Sequence, residues 1–195
     1  MKKLLLAVSW DQQRNNRTED ELKGEQHMKQ SIDQDKRLDY EETVEDTLRG
    51  KYLTFAIGKE SYGIEIRYVT EIIGMQPITE VPEVPQYVKG IINLRGKIIP
   101  VIDVRLKFRK EPIEYDDRTC IIVIALENIT VGLIVDNVAE VMTIGEDNIV
   151  PPPDGRTGFQ NRYIQGIGKA GDSVVLLLEC QLLLSDDEVE TLESI

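Results

Sequence analysis

Beyond residue 50 the chain is a series of short apolar runs with a two-residue period, cut by Gly, Pro, Asn and Asp. Tyr52-Leu53-Thr54-Phe55-Ala56-Ile57 stops at Gly58-Lys59, and Ser61-Tyr62-Gly63-Ile64-Glu65-Ile66 resumes the period. Side chains two apart share a face of a strand, so the pattern predicts two strands joined by a tight turn. Ile78-Thr79-Glu80-Val81-Pro82 predicts a short edge strand that proline ends, with a loop over 83–87. Residues 90–94 and 97–103 predict strands around an Arg95-Gly96 turn, and 103–109 one or two helical turns. Further strands are expected over 119–126, 129–135 and 137–144, with Glu127-Asn128 as a turn. An irregular loop over 151–161 and a hairpin of 163–168 with 173–178 follow. Many short strands with regular turn signals make the chain all-β, a sandwich or barrel.

The pattern occurs twice. Tyr62-Gly63-Ile64-Glu65-Ile66-Arg67-Tyr68-Val69-Thr70-Glu71-Ile72-Ile73 aligns with Val131-Gly132-Leu133-Ile134-Val135-Asp136-Asn137-Val138-Ala139-Glu140-Val141-Met142. Tyr87-Val88-Lys89-Gly90-Ile91 aligns with Tyr163-Ile164-Gln165-Gly166-Ile167, and residues 97–103 with 173–179. A duplication predicts two similar units packed together: copy one over about 51–118, copy two over about 119–185. What the copies share belongs to the fold. What one copy alone carries is the better place to look for function.

Residues 1–50 differ in kind. From Asp11 to Gly50 the chain is almost wholly polar and cannot offset its ordering entropy by burial, so an extension that is flexible or partly helical is expected. Tyr40, Val44 and Leu48 stand at four-residue spacing, the period of a short helix face. A helical tail is expected over 186–195, with Ser185 and Glu188 spaced as a capping box.

Composition narrows the class. The 195 residues are 41% hydrophobic and 30% charged, with a net charge of −12. That balance suits a soluble domain, and it opposes nucleic acid or an anionic membrane as partner, because both need clustered cations. The opening Met1-Lys2-Lys3-Leu4-Leu5-Leu6 imitates a signal peptide, but its apolar run is short and no later stretch could span a bilayer. Cys120 and Cys180 lie singly in apolar runs and read as small buried hydrophobes of a cytoplasmic protein.

Catalytic chemistry is hard to assemble. The one histidine, His27, lies in the polar extension, so nucleophilic serine or cysteine arrangements lack their base. Neither metal-ligand spacing nor a phosphate-binding glycine loop is present, and no cofactor is expected. Asp103 and Glu179, equivalent by the repeat, read as a solvated or strand-end acid in each copy.

The sharpest local feature is Asn93-Leu94-Arg95-Gly96, where copy two has Lys169-Ala170-Gly171-Asp172. Gly96 permits a positive φ, and the Asn93 side chain can fix the turn. Arg95 then stands at a hairpin tip as an always-charged donor fork. Two readings stay open: a salt bridge closing the hairpin, with Glu71 as the candidate acid, or a contact for a partner. Glu71 and Glu140 share the pattern Val-x-Glu-aliphatic, which suits either a guarded strand edge or the rim of an apolar surface. Ile66, Val69, Val138 and Val141 fall on the alternating faces and are core residues or an exposed patch.

These residues together resemble a family. Residues 62–103, with the Asn-Leu-Arg-Gly turn, and residues 131–141 are similar in order and spacing to the CheW-like domain of chemotaxis coupling proteins; the likeness covers about 51–185. The resemblance implies two SH3-like β-barrels packed together, with short helices. It implies a non-catalytic adaptor, cytoplasmic and recruited to receptor arrays, that joins chemoreceptor tips to the regulatory domain of the histidine kinase CheA. Kinase and receiver-domain relatives of the family carry further domains for which this length leaves no room. The resemblance assigns partner binding to positions matching Ile66, Val69, Glu71, Gly90, Arg95, Val138 and Val141. The turn residues Asn93, Leu94 and Gly96 join them as candidates. A small-ligand module with a pocket between the barrels is the alternative.

Overall fold

The computed structural model describes residues 47–126, 129–152, 162–171, 173–184 and 188–189. The chain divides into two units, Met1–Thr47 and Leu48–Ile195. The expected helix face at Tyr40 and Val44, the Glu127-Asn128 turn, most of the 151–161 loop and the Ser185 cap lie outside the described residues.

The second unit is built on strands. β1 (Lys51–Ile57) and β2 (Glu60–Glu65) form the first hairpin, and a 3-10 turn, Ile66–Tyr68, leads to β3 (Val69–Gly74). β4 (Val88–Leu94), β5 (Lys97–Asp103) and the single-turn helix α1 (Val104–Lys107) complete copy one. Copy two repeats the plan with β6 (Cys120–Ala125), β7 (Thr130–Val135), β8 (Asn137–Thr143) and the two-residue β9 (Ile149–Val150). β10 (Ile164–Ala170), β11 (Ser173–Leu178) and a 3-10 turn, Cys180–Leu183, close it. The expected strand at 78–82 shrinks to one bridge, Thr79 to Ile91, because the prolines at 82 and 85 cannot donate to a ladder.

The strand order corrects the expectation that each sequence copy is a barrel of its own. One sheet runs β8-β1-β2-β11-β10-β9, the other β3-β6-β7-β5-β4. Each sheet therefore takes its first hairpin from one copy and its remaining strands from the other. The copies join through the antiparallel pairs β1 with β8 and β3 with β6, and through the parallel pairs β11 with β2 and β5 with β7. Gly63 and Gly132, identical in the repeat, sit at the parallel joins opposite Leu177 and Val101. A Cβ on Gly132 would lie 2.7 Å from both Ile121 Cγ2 and Val101 Cγ1. The glycines are kept there because a neighbouring strand leaves no room for a side chain.

Alternation sorts the apolar residues into three layers. In β6, Ile121 and Val123 point into the five-stranded barrel, while Ile122 and Ile124 point into a shared core between the sheets. The shared core also holds Phe55, Tyr62, Phe108 and Tyr163, whose ring centres follow one another 5.2 to 5.9 Å apart. Tyr52, Ile144, Val175 and Leu177 fill the six-stranded barrel. Both faces of the central strands are thus buried, which two packed SH3-like barrels require. Cys180 lies fully buried in the shared core, and burial pushes its thiol up to about 12. Cys120 is half-buried.

Candidate functional site

The Asn93-Leu94-Arg95-Gly96 turn joins β4 to β5. Arg95 and Gly96 have φ of +52° and +87°, the left-handed pair of a tight hairpin turn whose twist matches its strands. The Asn93 Oδ1 accepts a hydrogen bond from the Gly96 amide at 2.9 Å and fixes this geometry. Leu94 points inward and packs on the core of the five-stranded barrel, so the turn is anchored beneath. Arg95 is left pointing outward.

Glu71 comes from β3. The Arg95 Nη2 lies 3.0 Å from the Glu71 Oε2, and the Arg95 side chain is 79% exposed against 23% for Glu71. The pair reaches across the barrel mouth, because β3 and β4 are the two edges of the sheet. An ion pair this exposed contributes about 0–1 kcal/mol. Both readings of Arg95 thus meet in one geometry: the salt bridge exists, and the guanidinium keeps most of its surface for another contact.

Around the pair lies a groove of about 930 Å³, lined by Thr70, Ile91, Lys97, Ile98, Pro100 and Ile129 among others. Arg95, Lys97 and Glu71 are its charged lining residues, and apart from Thr70 and Thr130 the rest of the lining is apolar. Ile98 and Ile72, on β5 and β3, are 56% and 45% exposed. Their repeat equivalents on the other sheet, Val174 and Val141, are 58% and 49% exposed. Exposed β-branched residues at the same two positions of both copies mark a surface feature rather than scattered apolar residues.

The remaining candidates separate by location. Ile66 lies in the 3-10 turn before β3, and Val69 opens that strand; both are partly buried against the shared core. Val138 and Val141 belong to β8, an edge of the six-stranded sheet, where Val138 packs on the shared core and Val141 is exposed. They face Phe55 and Leu53 of β1 and are not part of the Arg95 groove. Gly90 is buried with φ +134°, and a Cβ there would lie 2.1 Å from the Thr79 carbonyl oxygen. Its place in the site is that of a spacer, which lets the Thr79 segment pair with β4 beneath the turn.

Asp103 is a strand-end acid, as one of the two readings has it, and not a solvated one. It is buried at the end of β5, accepts from the Leu106 amide as the cap of α1, and accepts from the Tyr115 hydroxyl at 2.9 Å. Sequence reasoning also passed over Lys107, which is buried with Glu188 as its anion. The available signal was the repeat itself, since the equivalent position in copy two is Leu183.

Among the described residues no helix is long and apolar enough to cross a membrane. The CheW-like domain family model matches residues 51–188. The chain is 34% identical over 150 residues to the chemotaxis protein CheW of Klebsiella aerogenes, covering 77% of this chain and 90% of that one. It is 33% identical over 141 residues to the chemotaxis protein CheW of Bacillus subtilis, covering 72% and 90%. Among solved structures it is similar to the scaffolding protein TtCheW of Thermoanaerobacter tengcongensis. The TM-score is 0.66 at 36% identity, over 71% of this chain and 94% of that one.

Proposed function

The chain belongs to the CheW-like domain family, and from that premise we propose that it is a non-catalytic adaptor that couples chemoreceptors to the histidine kinase CheA. The observation that carries the reading is the Arg95–Glu71 pair in a largely apolar groove. An exposed guanidinium held by a weak ion pair in one groove with exposed Ile98 suits a protein partner. The apolar residues supply burial and the charges supply register. Val141 and Val174, exposed on the other sheet, are candidate contacts for a second partner. The candidates Ile66, Val69, Glu71, Arg95, Val138 and Val141 would divide between the two partners, with Gly90, Asn93, Leu94 and Gly96 shaping the groove.

A small-ligand pocket between the barrels is less well supported. The space between the sheets is filled by Leu53, Phe55, Tyr62, Ile122 and Leu133, each at most 2% exposed. The test is a pull-down of the full chain with a chemoreceptor cytoplasmic fragment and, separately, with the CheA regulatory domain. Retention of both baits is expected. Retention of neither would overturn the adaptor reading.

A further inference from the structure

α1 and the 3-10 turn Cys180–Leu183 are repeat equivalents. Each follows a strand-end acid, Asp103 or Glu179, whose amide donates to a tyrosine carbonyl, Tyr87 or Tyr163. At the last position of the turn copy two has Leu183 and copy one has Lys107. Both are buried, at 1% and 3% exposure. The fold therefore accepts an apolar residue here, and copy one holds an ammonium instead. A buried ammonium costs several kcal/mol unless an anion meets it.

The anion comes from far along the chain. Glu188 Oε1 lies 2.6 Å from Lys107 Nζ and accepts from the Tyr87 hydroxyl. The ammonium also stands 4.1 Å from the centre of the Tyr87 ring and 5.8 Å from that of Tyr163. Aromatic faces on the same cation lower the cost of its burial and fix its direction. The next residue, Val189, packs on the shared core. Burial holds the Lys107 ammonium below the usual lysine range and holds the Tyr87 hydroxyl protonated, which keeps it a donor.

We propose that Lys107, Tyr87 and the Tyr163 ring form a carboxylate-binding niche whose resident ligand is Glu188, and that this contact fastens the C-terminal segment to the barrel pair. The niche sits at the base of the β4–β5 hairpin: Tyr87 precedes β4, and its carbonyl accepts from the Asp103 amide at the end of β5. The fastening therefore steadies the hairpin whose tip carries Arg95.

The experiment uses the full chain with Glu188→Ala, Lys107→Leu and the double variant. The readouts are Tm and amide hydrogen exchange in the peptide around Glu188 and Val189. Glu188→Ala leaves a buried ammonium unpaired and is expected to lower Tm by about 6 °C or more. Lys107→Leu, which installs the residue of copy two, is expected to lower Tm by less than half of that. Adding Glu188→Ala to it should lower Tm by far less than in the parent, because only the Tyr87 hydrogen bond is then left to lose. Both single variants should speed exchange around Glu188 by about tenfold or more. Additive losses in the double variant, or exchange around Glu188 unchanged in Lys107→Leu, would overturn the proposal.

Discussion

Arg95 and Glu71 sit at opposite edges of one sheet and meet at 3.0 Å. β3 is the first strand of the five-stranded order and β4 the last, so the pair forms only because the sheet curls into a barrel. The contact reports the barrel's closure without providing much of it. Closure rests on Ile92, Ile99, Val101, Ile121, Val123 and Ile134, each buried at 3% exposure or less. Burying one such side chain is worth about 1.5–3 kcal/mol, more than an exposed ion pair. The mouth can therefore lose its charges and remain shut.

Arg95→Ala follows from that ranking. The variant is expected to fold with a Tm within about 4 °C of the parent, since the lost pair is worth about 1 kcal/mol or less. Retention by the CheA regulatory domain or by the receptor fragment should fall by about tenfold or more, the scale of an arginine at the centre of an interface. A melt that collapses while the folded fraction still binds normally would return Arg95 to a purely structural role.

Gly132→Ala tests the hairpin exchange between the copies. The new methyl meets Ile121 and Val101 at 2.7 Å, and both are β-branched and fully buried, so neither can turn away. A cost of about 1–3 kcal/mol is expected. Gly63→Ala, at the equivalent join, meets Val175 and Leu177 at 3.0 and 3.1 Å and should cost less. Urea unfolding of the two variants measures the difference. Equal midpoints would mean that the joins are not as tightly packed as their geometry indicates.

The strands themselves were legible because their period is local. Which hairpin joins which sheet was not. Residues 51–65 and 120–135 carry nearly the same pattern, and nothing within either says that each pairs with the other copy's last strand. The Arg95 turn was legible from Asn93 and Gly96, whose side chain and missing side chain dictate the loop. Asp103 and Lys107 were hidden for a different reason. A charge in a short helical segment reads as solvated until its partner is known. Tyr115 lies 12 residues from Asp103, and Glu188 lies 81 residues from Lys107.

Burial of Cys180 makes the fold sensitive to alkali, as does burial of Tyr62. Burial first, and then Glu179, pushes the Cys180 thiol up to about 12 from an ordinary 9.0. A raised value means that the folded state holds its proton longer. The thiol's contribution is full below pH 9 and is lost as pH climbs from 9 to 12, by at most about 4 kcal/mol. Cys180→Val places there the residue of the equivalent position, Val104, which is itself fully buried. The variant should fold at neutral pH and lose less stability between pH 9 and 11, as urea midpoints across that range will record. Parallel curves for variant and parent would show that Cys180 has no part in the alkaline loss.

Glu71→Lys separates the mouth's structural role from its binding role. The new ammonium would stand beside Arg95 with no acid between them, and Lys97 lines the same groove. In the free protein both long side chains can swing into water, since Arg95 is 79% exposed, so the cost should stay near 1 kcal/mol. Against a partner that escape is closed, because a covered interface holds both cations in low dielectric. Unpaired or like charges there cost several kcal/mol. The folded variant is therefore expected to lose receptor-dependent CheA autophosphorylation in a reconstituted mixture, with circular dichroism unchanged. The swap Glu71→Lys with Arg95→Glu sharpens the result. It rebuilds an ion pair across the mouth, so stability should return to within about 1 kcal/mol of the parent. Coupling should stay lost, because a partner built to meet Arg95 now meets a carboxylate. If the swap restores kinase activation along with stability, the pair acts only as a clasp on the barrel, and the partner surface lies elsewhere.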